Sequence, residues 1–263
     1  MSLLAEPLSR GKQVAYGVAG VVGTAMVAEL VLRSGVIDKP GLPVPTNVVR
    51  GVGSLLGEDS FWQGVSFTLQ EWMLGLAFAT VAGVVLGGLM GAFSKVFVAF
   101  ELPVEVFRVL PSVAVGPVLV LLIGAGMLPL SITVALACVW PILLNTMYGV
   151  RGTDATAVQT ARTLGLSSLG ILARIKIPSA LPFAFTGIRV SASIGLIVAV
   201  SAELLIGNGE GIGGYILVNS ANSTNLDVVY AATVVAGVLG VVVSGVFAVV
   251  DNKVFAWKKG LAQ

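Results

Sequence analysis

The sequence predicts an all-α membrane protein with six transmembrane helices, and three observations carry that expectation. First, the 263-residue chain is 56% hydrophobic and 11% charged, where soluble globular chains hold roughly 25% charged residues; its mean hydropathy is +0.99. Second, several runs approach the roughly 20 apolar residues needed to cross a hydrocarbon core about 30 Å thick. Third, the cations are lopsided. With the N-terminus inside, 12 of the 15 Lys and Arg, from Arg10 and Lys12 to Lys258 and Lys259, fall on the cytoplasmic side. Only Arg33, Lys39 and Arg50 fall outside, which the positive-inside rule favours over the inverted arrangement.

Taken in order, the first span is Val14 to Leu32, interrupted only by Glu29, for which Arg33 is an i, i+4 partner. It is too long, and too poorly followed by small residues, to read as a removable signal peptide, so it is expected to be retained. Residues 33–70 form the longest external segment, with a short amphipathic stretch near Thr46 to Leu56. Trp62 and Trp72 bracket the entry to the next span, where aromatic rings favour the interface. That span, Leu74 to Phe93, carries Ala79, Gly83, Gly87 and Gly91 at a spacing of four, a small-residue ridge that lets another helix approach closely.

Between Arg108 and Arg151 lie 42 uncharged residues, a helical length of about 63 Å and enough for two crossings, with the turn at Gly124, Gly126 and Pro129. The fifth span is Val190 to Ile206 and the sixth Val228 to Val250. The domain plan is a cytoplasmic tail over 1–13, a membrane domain over 14–250 and a second cytoplasmic tail over 251–263.

The absence of histidine removes His-ligated metals and the Ser-His or Cys-His couples of many hydrolases. Cys138 is the single cysteine, so no disulfide forms within the chain. Gly209, Gly211 and Gly214 match G-x-G-x-x-G, but they follow a membrane helix instead of a strand, which argues against a dinucleotide site. These glycines are expected to let the chain bend at the external mouth. Within the spans, Asn145, Ser193 and Glu203 are the polar candidates for a substrate path, because polar groups at membrane depth are costly. For Glu203 a structural hydrogen bond, to Ser201 or to a neighbouring helix, is the competing role.

The loop 151–182 interrupts this apolar chain with "ARTLGLSSLGILARIKIPSALP". Thr153 or Asp154 can cap a helix running to Leu164, Gly165 can stop it, and Ser167 or Ser168 can start another. Pro178 is expected to end that second helix and Pro182 to sit in the first turn of the next. The product is helix, elbow, helix, then span.

This segment resembles the EAA loop of ABC importer permeases: E-A-A, three residues, Gly, nine residues, then Ile-x-Leu-Pro. Gln159, Thr160 and Ala161 stand at the E-A-A positions, followed by Gly165, Ile175, Ile177 and Pro178; Gln for the acid and Ile177 for Leu are departures. "WPILLNTMYGVRGTD", "IPSALPFAFTGIRVS", "AELLIG" and the outer "LPVPTNVVR" extend the likeness over about residues 40 to 250, and it is similar to the permeases for nitrate, taurine and aliphatic sulfonates. The resemblance implies the type I ABC importer permease fold, with ATPase coupling through Gln159, Ala161, Arg162, Leu164, Gly165, Leu166 and Ser167. It also implies a bacterial or archaeal cytoplasmic membrane. The partners implied are a second permease copy or paralogue, two cytoplasmic ATPase subunits, an extracytoplasmic substrate-binding protein and the lipid bilayer, with no nucleic acid. No G-x-x-x-x-G-K-[ST] occurs in the chain, so ATP and Mg belong to the ATPase subunits and this chain is no enzyme by itself. Rival readings are an intramembrane enzyme, a proton-coupled secondary transporter acting through Glu203, and a non-transporting assembly subunit.

Overall fold

A computed structural model describes residues 9–36, 42–221 and 226–254. Lys39, Lys258, Lys259 and most of both expected tails lie outside the described residues. The described chain is helical in the order α1 (Arg10–Arg33), α2 (Pro45–Leu55), α3 (Asp59–Ala92), α4 (Ser94–Phe107), α5 (Ser112–Ile123), α6 (Met127–Arg151), α7 (Ala155–Thr163) and α8 (Ser168–Ile171). A π-helical turn (Leu172–Lys176) then leads into α9 (Ile177–Ile206), followed by α10 (Gly211–Ala221) and α11 (Leu226–Val254). Among the described residues, five helices are long and apolar enough to cross a membrane, or six if the bent pair α4 and α5 counts as one span.

The chain divides into two compact units, residues 1–58 with 219–234 and residues 59–218 with 235–263. In the first, the expected Glu29–Arg33 pair forms at 2.6 Å. Glu29 also accepts from the Thr46 hydroxyl at 2.6 Å and its backbone N–H at 3.1 Å, so α2 is held to α1 by a polar clasp. Gly51 lets α2 approach α11: a Cβ there would meet the Asp227 carbonyl oxygen at 3.0 Å.

In the second unit α3, α6 and α9 build the core. The ridge read from the sequence packs on α6, and it begins earlier, at Gly75. A Cβ at Gly75 would lie 2.6 Å from the Ser131 carbonyl, one at Gly83 2.9 Å from Ile142, and one at Gly91 2.6 Å from Val150, while at Gly87 it would run into the Leu143 carbonyl. Positions rise together on both helices, so α3 and α6 run parallel. Gly149 against Phe183, Gly187 against Ile142 and Gly195 against Cys138 run in opposite order, which makes α9 antiparallel to α6. In lipid, close packing and interhelical hydrogen bonds hold helices together where the hydrophobic effect cannot. Cys138 and Ser191 supply such a pair of bonds: the thiol donates to the Ser191 carbonyl at 3.2 Å and the Ser191 hydroxyl to the Cys138 carbonyl at 2.6 Å.

The structure corrects four expectations. The third crossing is a broken element: α5 has 12 residues, about 18 Å of helix, and it meets α4 at 92°. Prolines explain the break, since Pro111 precedes α5 and Pro103 and Pro117 each withdraw an N–H inside their helices. Trp72 does not sit at an interface; it is buried and donates from Nε1 to the Ala192 carbonyl at 2.9 Å. Pro178 does not end a helix, and Pro182 lies beyond the first turn of α9. The π-helical turn adds a residue just before Pro178, relieving the crowding its ring would bring to the Arg174 carbonyl, so the helix continues. The fifth span, expected from Val190, belongs to a helix that begins at Ile177, so Arg189 lies inside α9, where it pairs with Asp251 at 3.5 Å.

Candidate functional site

The elbow is built by local hydrogen bonding. Asp154 caps α7, accepting from the Thr156 N–H at 2.8 Å. At the other end the Gly165 N–H donates to the Arg162 carbonyl at 2.9 Å and the Leu166 N–H to the Ala161 carbonyl at 3.0 Å, the paired bonds of a Schellman motif. That motif needs a left-handed residue, and Gly165 has φ +80°. Ser167 then caps α8, its hydroxyl accepting from the Gly170 N–H at 3.1 Å. The N–H groups of Leu164, Gly165 and Leu166 are all paired through the turn, Leu164 donating to the Thr160 carbonyl at 3.0 Å.

What the elbow presents is unusual for a solvent-facing turn. Leu164 is 75% exposed and Leu169 72% exposed, and Gln159, Arg162, Gly165 and Ser167 are exposed beside them. Leu166 is half-buried, and Ala161 is buried, so it anchors α7 to the body of the unit while its neighbours face outward. Gly165 has open space around a would-be Cβ, so its glycine is required by backbone conformation and not by crowding.

The three substrate-path candidates lie apart from the elbow and apart from one another. Asn145 is half-buried and its amide donates to the Pro141 carbonyl at 2.8 Å, against Gly187 of α9. Ser193 is half-buried on α9. Glu203 is fully buried at the end of the core remote from the elbow. It accepts from the Thr68 hydroxyl at 2.6 Å and from the Gly213 N–H at 2.7 Å, and Thr68 in turn accepts from the Ile212 N–H at 2.9 Å. Ser201 is not its partner; that hydroxyl donates to the Ile197 carbonyl at 2.8 Å.

The glycine pattern acquires a reason here. The first turn of α10 offers unpaired N–H groups and the positive end of a helix dipole, and the protein's own carboxylate occupies it. A Cβ at Gly211 would collide with the Glu203 carboxyl, and one at Gly213 with the Val200 carbonyl. Gly209 and Gly211 also take φ +85° and +78°. Sequence reasoning missed Thr68 and Gly213 as partners of Glu203. It also missed Glu71 and Ser131, fully buried groups whose side-chain oxygens have no hydrogen-bond partner among the described residues. The signal available for Glu71 was its spacing of four from Gly75, which puts it on the packed face of α3.

Comparisons with known proteins agree with this architecture. The family described as "Binding-protein-dependent transport system inner membrane component" matches residues 79–256. The taurine transport system permease protein TauC of Escherichia coli (strain K12) is 26% identical over 256 residues, covering 95% of this chain and 92% of that protein. The nitrate import permease protein NrtB of Leptolyngbya laminosa is 30% identical over 188 residues, covering 72% and 66%. Among solved structures, a chain of the inward-facing MetNI methionine ABC transporter superposes with a TM-score of 0.57 at 17% identity, covering 81% of this chain and 99% of that one. The fold is that of a type I ABC importer permease. With an elbow between membrane helices, a buried small-residue core and a family match over most of its length, this chain belongs to the inner-membrane permease components of binding-protein-dependent ABC importers.

Proposed function

We propose that this permease carries a small anion, a sulfonate, nitrate or organic carboxylate, and that ATP hydrolysed on two separate cytoplasmic subunits drives it through the Gly165 elbow. The observation that carries the reading is the exposed apolar tip, Leu164 with Leu169, presented on a conformationally fixed turn. A turn of this kind suits helix-in-groove recognition by a partner. The surface we assign to that partner is Gln159, Arg162, Leu164, Gly165, Leu166 and Ser167, with Ala161 as the buried anchor. ATP and Mg belong to the ATPase subunits in this reading, because the chain carries no phosphate-binding loop.

Both termini and the elbow then face the cytoplasm, a substrate-binding protein delivers cargo to the opposite face, and a second permease copy or paralogue completes the path. Transport follows from rocking of the two halves. The anion class is supported by the names of the taurine and nitrate relatives. Glu203 is engaged by Thr68 and Gly213, and Asn145 by Pro141, which leaves Ser193 as the path candidate whose polar group these bonds do not occupy. The test is ATP hydrolysis by the purified complex in the presence of binding protein. Stimulation is expected to disappear with Gly165→Asp or Arg162→Glu; stimulation unchanged by both contradicts the docking assignment.

A further inference from the structure

Two clefts meet at the elbow end of the second unit. One, about 260 Å³, is apolar and lies among Leu89 of α3, Val150 of α6, and Leu181 and Ala184 of α9. The other, about 320 Å³, holds Arg162, Leu169 and Lys176. Both are walled by Ala92, Phe93 and Leu172, so the apolar groove adjoins the basic cleft. No acidic residue lines either one. Arg162 and Lys176 form no ion pair among the described residues, and Lys95, two residues beyond Phe93, is a further exposed cation.

The dimensions fit a single leaflet. From Val84 to Ala92, both lining the groove, α3 rises about 12 Å, against about 15 Å for half of the hydrocarbon core. We propose that this composite groove binds one anionic phospholipid of the inner leaflet, with an acyl chain along Leu89, Leu181 and Ala184 and the phosphate at Lys176, the cation of the basic cleft that the coupling surface does not use. A trough facing hydrocarbon is filled by hydrocarbon, and basic pockets between membrane helices select anionic headgroups. A lipid of zero net charge gains the first contact and little of the second. Assignment to the inner leaflet rests on the reading of the elbow as cytoplasmic.

The test is native mass spectrometry of the detergent-purified complex titrated with dioleoyl phosphatidylglycerol or dioleoyl phosphatidylcholine. Phosphatidylglycerol is expected to be retained at least about fivefold more strongly, and Lys176→Gln to erase about fivefold of that preference. Leu181→Trp, which fills the groove, is expected to lower retention of both lipids. Equal retention of the two lipids by the unaltered protein, or an unchanged preference in Lys176→Gln, overturns the proposal. A photoreactive group at Leu181 that captures another polypeptide instead of lipid overturns it as well. Because the titration is done in detergent, it reads the groove whichever way the chain faces, whereas failure of the coupling reading shows in the ATPase assay.

Discussion

Replacing Glu203 tests whether its carboxylate is a structural latch or part of the transport path. Its bonds to Thr68 and Gly213, at 2.6 and 2.7 Å, are short and fully buried. Hydrogen bonds to a charged group contribute about 1.5–3 kcal/mol each, so Glu203→Ala loses roughly 3–6 kcal/mol. Glu203→Gln keeps an acceptor for the Gly213 N–H and turns its NH2 to Thr68, whose hydroxyl can accept while donating to the Gly64 carbonyl at 3.1 Å, so only the charge assistance is lost, about 1 kcal/mol or about 2–4 °C of Tm for a chain of this size. The assay is thermal unfolding of the purified complex, run as a double-mutant cycle with Thr68→Val. A coupling energy of at least about 1 kcal/mol between the two positions is expected, because they share one bond. Glu203→Gln with an unchanged Tm and abolished uptake refutes the latch and returns Glu203 to the path; strict additivity with Thr68→Val refutes the bond.

Two further outcomes follow from the packing and capping. Gly87→Ala places a methyl against the Leu143 carbonyl, which cannot turn aside; a loss of about 1–3 kcal/mol is expected, read as a lowered Tm, while Gly88→Ala, with open space around it, holds or raises Tm because alanine is the better helix former. Asp154→Ala removes the cap of α7; about 1 kcal/mol of local stability is lost, seen as faster amide exchange over 155–163 with the global Tm preserved.

Much of this architecture was legible because bilayer thickness imposes a length that sequence displays directly. Val14 to Leu32 and Val228 to Val250 fall within α1 and α11, and Leu74 to Phe93 overruns the end of α3 by one residue. The elbow was legible for a different reason: its determinants, Asp154, Gly165 and Ser167, act over two to five residues. Hydropathy failed where proline outweighed it, at the bend between α4 and α5, and where a π-helical turn let Pro178 pass. It also understated α3, which begins at Asp59, so that Glu71 fell outside the apolar window. A bond from Glu203 to a neighbouring helix was among the expectations, but its partner was not legible, because Thr68 lies 135 residues away. The positive φ of Gly211 and the packing of Gly213 against Val200 make sense only once that carboxylate is in place.

The most direct test of the coupling claim is site-specific crosslinking from the tip of the elbow. Leu164→Cys gives a reactive thiol in a chain whose native Cys138 is buried, so a maleimide carrying a photoreactive arm, which needs no thiol on the partner, reports one position. A crosslink to the ATPase subunit is expected, formed in the assembled transporter, with the thiol protected from impermeant reagents added outside the membrane. A thiol that reacts only from outside, or that never meets the ATPase, contradicts the coupling claim.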